Sequence, residues 1–383
     1  MRIFPTSEQL ILINKYFGCN RYVWNWAKSY NDSLYKKGEK CVIGGELEHF
    51  LPELKKIYPF LKEADSTSLQ KTWQNFTQTM KMFFAGKGGS PNFHKKYNSQ
   101  TFCVKNNKHE NKKSENRDTV RFDGDMLKIG KLGWVKTKLN QPLPKGDIQD
   151  VTVKRTKSGK LIASITIRRS EPIPQLPETG KEVGFDLGIN DFAVLTDGTV
   201  ISMPSFFKEN ENKLKKLHRQ VSRTQKGSNN RKKALHKLAL AYERYENQKT
   251  DFLHKLSLWL VREYDFIAAE SLDIASMMLN SKGEHKKGER RKERELHKSI
   301  KSLSWYSFLS MIKYKAEWYG KTFVQVDKFY PSSQLCYDCG YQNKAVKDLS
   351  VRGWDCPECG VYHHRDRNAA NNILREAKRL ACA

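Results

Sequence analysis

Three carboxylates are the residues of this chain most able to do chemistry: Asp186, Glu270 and Asp366. Each has an ordinary structural reading. Asp186 closes the run Val183-Gly184-Phe185-Asp186 just before Gly188 and could serve a turn. Glu270 ends Asp265-Phe266-Ile267-Ala268-Ala269-Glu270 and could be a surface acid. Asp366 could cap the last helix, where Asp is favoured. Their joint context points elsewhere. Two lie at the ends of apolar strands, and the third opens a helix whose Ala369, Ala370, Ile373, Leu374 and Ala377 would pack it back onto the sheet. The outcome is an acidic cluster at one sheet edge.

Like-charge repulsion makes such a cluster costly unless cations occupy it. Two Mg²⁺ ions about 3.5 to 4 Å apart are the common solution in phosphodiester cleavage, one favouring attack by water and the other steadying the leaving 3′ oxygen. Hard oxygen ligands select Mg²⁺ or Mn²⁺. The chemistry predicted for Asp186, Glu270 and Asp366 is therefore metal-dependent hydrolysis of nucleic acid, with neighbouring Lys and Arg holding the strand in line.

Four of the eight cysteines form a second site. Cys336-x-x-Cys339 and Cys356-x-x-Cys359 are separated by sixteen residues, and Gly340 and Gly360 each follow a pair where the chain must turn tightly. Two thiolate pairs on two knuckles predict a tetrahedral structural Zn²⁺ with no open position and no catalytic part. The bland alternative is four free buried thiols. Cys19, Cys41, Cys103 and Cys382 are scattered, which fits a reducing, cytoplasmic compartment rather than disulfides.

The composition names the partner class. The 383 residues hold 69 Lys and Arg against 42 Asp and Glu, a net charge of +27. A merely soluble surface needs a magnitude of only about 2 to 8 for a small domain, so a polyanion is expected. The N-terminus lacks the apolar core of a signal peptide, and no run approaches the roughly 20 apolar residues of a membrane span, so no membrane association is expected.

The elements that must position these sites fall into several domains, as the length requires. Residues from Ser7 to about Phe84 read as helices, opened by a capping box of Thr6 with Gln9 and broken at Pro52 and Pro59. Gly86 to Pro91 is a loop, and Lys105 to Asn116 a polar connector. From Thr119 the period changes to two, predicting a small antiparallel barrel or sheet with a turn at Ser158-Gly159. Pro172, Pro174, Pro177 and Gly180 form a stiff linker, with a boundary near residue 180. Three strands follow, then a basic helical pair from about Phe207 to Tyr264 broken at Gly227 to Asn230, the strand ending at Glu270, and a charged run from Lys282 to Lys298. That run reads first as a solvated face and second as a phosphate contact. A helix over Trp305 to Trp318, a strand at Phe323 to Val326, the cysteines, and a helix from Asn368 to about Leu380 complete the chain.

Several of these segments together resemble the TnpB family, the RNA-guided DNA endonucleases of insertion sequences and relatives of compact type V CRISPR nucleases. They are Gly184-Phe185-Asp186-Leu187-Gly188-Ile189, Asp251-Phe252-Leu253-His254-Lys255-Leu256, Tyr330-Pro331-Ser332-Ser333-Gln334-Leu335-Cys336 and Arg365-Asp366-Arg367-Asn368-Ala369-Ala370, with looser matches at Ser68-Leu69-Gln70 and Lys131 to Lys138. The resemblance implies a multidomain α/β fold: an RNase H-like (RuvC) nuclease domain of residues 181–335 and 361–383, an inserted zinc ribbon of residues 336–360 near the target strand, a helical recognition domain of residues 6–102, and a wedge β-barrel of residues 1–5 and 103–180. It implies that Asp186, Glu270 and Asp366 are the catalytic set. It also implies a guide RNA that supplies specificity, a double-stranded DNA target with a short flanking motif, and a monomer on one RNA, associated with the nucleoid when bound to DNA. Gln70 falls where the family reads the flanking motif, and a Gln can pair with adenine.

The chain departs from the family in two places. His364 stands where the final motif usually has an Asp before Arg365-Asp366, removing a negative charge beside the expected metal site. The first barrel strand, ahead of Phe4-Pro5, is short or missing, which bears on barrel closure. Two other readings compete: a guide-bound regulator without cleavage, which would lack catalytic carboxylates, and a non-enzymatic zinc-ribbon nucleic-acid-binding protein, which would leave three well-placed acids unexplained.

Overall fold

The computed structural model describes residues 1–97, 100–107, 118–139, 142–278, 289–348 and 350–382. The chain divides into two compact units, Met1–Pro172 and Ile173–Ala383.

The first unit opens with β1 (Arg2–Phe4) and α1 (Ser7–Lys36). The Thr6 hydroxyl accepts from Gln9 N at 3.3 Å and the Gln9 side chain accepts from Thr6 N at 3.0 Å, which is the capping box expected. Gln9 Nε2 also donates to the carbonyls of Leu132 and Trp134, so the cap fixes the helix to the sheet. Helices α2 (Gly45–Ile57) and α3 (Ser66–Phe84) follow. Pro52 does not break the helix as the sequence suggests. It lies inside α2, where the flanking Leu51 and Leu54 are buried and hold the turn while proline forfeits one backbone bond. Tyr16, Phe17, Trp24, Trp73, Phe76 and Phe102 form the aromatic part of the core.

Strands β2 (Gln100–Lys105), β3 (Val120–Asp123), β4 (Met126–Ile129), β5 (Trp134–Lys138), β6 (Gly146–Arg155) and β7 (Leu161–Arg169) complete this unit. With β1 they make one antiparallel sheet in the order β2-β6-β7-β1-β5-β4-β3. The first strand is only three residues long, yet it is present and central, paired with β5 on one side and β7 on the other. Met1 extends it by donating its ammonium to Ala163 O at 2.9 Å. The sheet curls toward closure: Asn106, just beyond β2, donates to Ile148 O and accepts from Val120 N of β3 at 2.9 Å. Part of the expected connector, from 108 to 116, lies outside the described residues.

The second unit is built on β8 (Glu182–Leu187), β9 (Asp191–Leu195) and β10 (Val200–Ser202), an antiparallel meander. The helical pair α4 (Phe206–Ser222) and α5 (Asn229–Glu263) follows, then β11 (Phe266–Glu270), the single turn α6 (Ile274–Met277), α7 (Glu289–Leu303), α8 (Trp305–Tyr319) and β12 (Thr322–Val326). Strands β11 and β12 run parallel to β8, giving the order β10-β9-β8-β11-β12. The hairpin of β13 (Gly353–Asp355) and β14 (Tyr362–His364) leads into α9 (Arg365–Ala381). Of the expected charged run, residues 282–288 lie outside the described residues.

Strand alternation divides the core. Val183, Phe185, Ile267 and Ala269 face one way, against Leu253 and Leu260 of α5 and Phe308 and Ile312 of α8. Ala268 and Val326 face the other way, against Ile373 and Ala377 of α9. A buried cation ties α8 to α5: Lys315 Nζ donates to His254 O at 2.7 Å and to Ser257 Oγ at 2.6 Å, and desolvation lowers its pKa to about 8. No described helix is long and apolar enough to cross a membrane.

Candidate nuclease site and zinc centre

Period-two alternation decides where the strand carboxylates point. Asp186 shares a face of β8 with Gly184, and Glu270 shares a face of β11 with Ala268; both are on the α9 side of the sheet. The two strands are adjacent and parallel, with Phe185 opposite Ala269, so Asp186 and Glu270 follow as neighbours. Helix α9 lies antiparallel to β8. Lys378 near its end pairs with Glu182 at 2.6 Å, and Ala370 and Leu374 cross Gly184. One turn earlier on the same stripe comes Asp366, over the end of the strand where Asp186 sits.

Gly184 sets that approach. A β-carbon there would meet Ala370 O at 2.5 Å and Leu374 Cβ at 2.8 Å. Any side chain at this position would push α9, and Asp366 with it, off the sheet.

The electrostatics agree with this geometry. The Asp186 carboxyl is pushed up to about 7, first by desolvation, then by the charges of Glu270 and Asp366. Desolvation also raises Glu270 to about 7. Asp366 pairs with the half-exposed Arg352 at 3.3 Å. It does not cap the helix, because the N-cap position belongs to His364 and Asp366 sits within the first turn. The three acids form a looser set than the cysteines. Among the described residues, the groups whose ligand atoms all lie within 4.8 Å of one another are Cys336-Cys339-Cys356-Cys359 and Cys336-Asp338-His363.

The four thiols form a compact tetrad. Cys336 Sγ lies 3.6 Å from Cys359 Sγ, and Cys339 Sγ 3.5 Å from Cys356 Sγ. Tetrahedral zinc with Zn–S of about 2.3 Å needs sulfurs about 3.8 Å apart, so the tetrad fits the ion closely. Each knuckle closes through a glycine in the left-handed region: Gly340 (φ +79°) donates to Cys336 O at 3.0 Å, and Gly360 (φ +72°) to Cys356 O at 2.8 Å.

Sequence reasoning missed three residues here. His363 is buried, its Nε2 lies 3.0 Å from Cys336 Sγ and 3.7 Å from Asp338 Oδ2, and its ring tilts against Trp354. The neighbouring His364, singled out from the sequence, is exposed because the two residues alternate along β14. Asn368 and Asn372 were also missed. Asn368 accepts from Tyr337 N at 3.0 Å and donates to Leu335 O at 2.6 Å, while Asn372 donates to Ser332 O and Leu335 O. They tie the first zinc knuckle to the helix that carries Asp366. The signal was two asparagines four apart on an otherwise apolar stripe. Gln70 lies half-buried on α3 in the first unit, and Lys71, Thr72 and Asn75 of the same helix line a cavity of about 260 Å³.

The architecture is that of the Cas12f-like multidomain α/β proteins. A solved Cas12f1–sgRNA–target DNA complex matches it with a TM-score of 0.59 over 96% of this chain and 83% of the Cas12f1 chain, at 14% identity. Residues 305–373 match the family model described as Cas12f1-like, TNB domain, and residues 164–281 the OrfB_IS605 model described as "Probable transposase". Residues 1–40 match its companion, described as a helix-turn-helix domain, although here they form β1 and one uninterrupted helix. A Streptomyces pristinaespiralis protein named "Putative RNA-guided DNA endonuclease" is 32% identical over 97% of this chain and 87% of its own length. Escherichia coli InsQ, which carries the same descriptor, is 29% identical over 99% and 92%. The chain belongs to the TnpB family of IS605-type elements.

Proposed function

We propose that the protein is an RNA-guided DNA endonuclease whose cutting centre is Asp186, Glu270 and Asp366. The observation that carries this reading is the convergence of the three carboxylates on one face of the second unit's sheet, beneath α9, with two of them held near neutral pKa. The strand order β10-β9-β8-β11-β12 supports assigning residues 181–335 and 361–383 to an RNase H-like (RuvC) domain. Residues 336–360 are the zinc ribbon, residues 6–102 the recognition domain, and residues 1–5 and 103–180 the wedge barrel.

The donor set fits Mg²⁺ or Mn²⁺: three hard carboxylates whose mutual repulsion a divalent ion relieves. When bound, such ions supply acidity to a water molecule and positive charge at the leaving 3′ oxygen. The protein's own part is positioning. Gly184 sets the height of α9 over β8, Asn368 and Asn372 hold the ribbon against that helix, and the sheet fixes Asp186 beside Glu270. The relatives' names support a guide RNA as the source of specificity and DNA as the target; in this reading the target is double-stranded and the protein acts as a monomer on one RNA in the cytoplasm. Gln70 is the proposed reader of the flanking motif.

The test is to sequence the RNA that co-purifies with the protein and challenge the complex with matching DNA bearing randomised flanks, with Glu270→Ala as control. Cutting directed by that RNA and abolished by the substitution supports the reading. Equal cutting after RNase treatment, or by the Glu270→Ala protein, refutes it.

A further inference from the structure

Three residues stand at one level just ahead of the parallel strands of the second unit: Lys181 before β8, Asp265 before β11 and Lys321 before β12. The ladder already joins them, with Asp265 N donating to Lys181 O and Thr322 N to Asp265 O, both at 2.8 Å. Side chains add a clasp. Lys321 is buried, and its ammonium pairs with Asp265 Oδ1 and donates to Pro177 O at 2.7 Å. Asp265 Oδ2 accepts from Thr179 N at 2.8 Å and from Gly180 N at 2.6 Å, which the left-handed backbone of Gly180 (φ +68°) turns toward it. Further back, Leu176 N donates to Tyr319 O at 3.2 Å, and a β-carbon on Gly320 would meet Gln175 at 3.0 Å. The Pro-rich segment that reads in the sequence as a linker is therefore a strap built into the second unit.

Asp186 lies five residues beyond Lys181, and Glu270 five beyond Asp265. At about 3.3 Å per residue the clasp is roughly 17 Å from either carboxylate and touches neither. Because the count is equal on both strands, the register at one end decides the register at the other. In the middle of the pair the α9 face holds only Gly184 and Ala268, too little side chain to resist sliding. A slip of one residue would turn Asp186 or Glu270 to the opposite face. A slip of two would carry one carboxylate about 7 Å along the sheet, out of reach of an ion it shares with the other.

We infer that Asp265 and Lys321 are positioning residues for the cutting reaction: their clasp fixes the register in which Asp186 stands beside Glu270. An ion pair suits the task, because a slipped register leaves Lys321 buried without its acid, a penalty that falls on the wrong registers alone. The strap makes the clasp selective for β8 as well, since Thr179 and Gly180 reach Asp265 only when the chain enters that strand at Lys181. The inference rests on the nuclease reading above and adds two residues to it.

The test compares the full-length Lys321→Met and Asp265→Asn proteins with wild type and with Lys315→Met, which removes a buried cation of the same unit that ties α8 to α5. Melting curves set a temperature at which all are folded. Mn²⁺ binding to the nucleic-acid-free protein is read by electron paramagnetic resonance, and single-turnover cutting of matched DNA by the RNA complex is read against Mn²⁺ concentration. Both clasp variants bind Mn²⁺ about 10- to 100-fold more weakly, the loss typical when the support of metal ligands is removed. They need correspondingly more Mn²⁺ for half-maximal cutting, with RNA and DNA affinity unchanged. Lys315→Met melts earlier and keeps wild-type Mn²⁺ affinity. Wild-type Mn²⁺ affinity in the clasp variants overturns the inference and leaves the nuclease reading intact, and so does an equal loss in Lys315→Met, which makes the effect one of stability. If Lys321→Met does not fold, Asp265→Asn, nearly constant in shape, decides alone. Absence of Mn²⁺ binding by the wild-type protein overturns both.

Discussion

The raised carboxyls at the candidate site make a quantitative prediction about metal-free stability. A group whose pKa is higher in the folded than in the unfolded state adds stability below its unfolded value and loses it as pH climbs through the folded one. Asp186 moves from 3.8 to about 7 and Glu270 from 4.5 to about 7, so the metal-free protein should weaken between about pH 4 and pH 7. For Asp186 alone the shift is roughly three units at 1.36 kcal/mol each, about 4 kcal/mol as an upper bound, because part of it is shared with Glu270. Asp186→Asn removes that charge at nearly constant shape. In chelator at pH 8 the variant should be about 2 to 4 kcal/mol more stable than wild type, which is roughly 5 to 12 °C in melting temperature for a unit of this size. At pH 4 the advantage should vanish, since Asp186 is then protonated. Added Mg²⁺ should raise the wild-type melting temperature more at pH 8 than at pH 6, and the variant's much less. Scanning calorimetry across this range checks each point. Equal melting of the two proteins at pH 8 in chelator would show that neither burial nor the neighbouring acids raise the Asp186 carboxyl, and the site as described would be wrong.

Other substitutions test the supports. Gly184→Val should lift α9 from β8, cost about 1 to 3 kcal/mol by overpacking, and depress cleavage more than guide binding; melting and single-turnover assays separate the two. His363→Ala should weaken zinc retention about 10- to 100-fold in chelator competition, as loss of a ligand-orienting partner does, whereas His364→Ala should leave it unchanged. Asn372→Ala leaves the Ser332 and Leu335 carbonyls without this donor and should cost about 1 to 3 kcal/mol, read as faster hydrogen exchange around the first zinc knuckle.

Much of the candidate site was legible in the sequence because it obeys short-range rules. Strand periodicity and an apolar helix stripe were enough to put Asp186, Glu270 and Asp366 on one sheet edge, and cysteine spacing was enough for the tetrad. The capping box at Thr6 and Gln9 is equally local. What escaped was set by alternation at single-residue resolution or by distant partners. His363 and His364 differ only in which face of a three-residue strand they occupy, and no pattern that short fixes its phase. Asn368 and Asn372 looked like polar breaks in an apolar stripe because their partners, the carbonyls near Leu335, lie more than thirty residues away. Local propensity alone predicts a break at Pro52, and burial of Leu51 and Leu54 outweighs one missing bond. The three-residue β1 is too short to signal itself, and pairing on both sides makes it a strand.

In the proposed function three carboxylates, working together on a divalent ion, cut DNA chosen by a bound RNA. The most direct measurement is the single-turnover cleavage rate of the purified protein–RNA complex on matched DNA as Mg²⁺ is raised, for wild type and for Asp186→Asn, Glu270→Gln and Asp366→Asn. Metal-dependent cutting is expected of the wild type and only the metal-free background of every variant, with RNA and DNA binding retained. Cutting by any one variant at the wild-type rate, with the wild-type dependence on Mg²⁺, would contradict it.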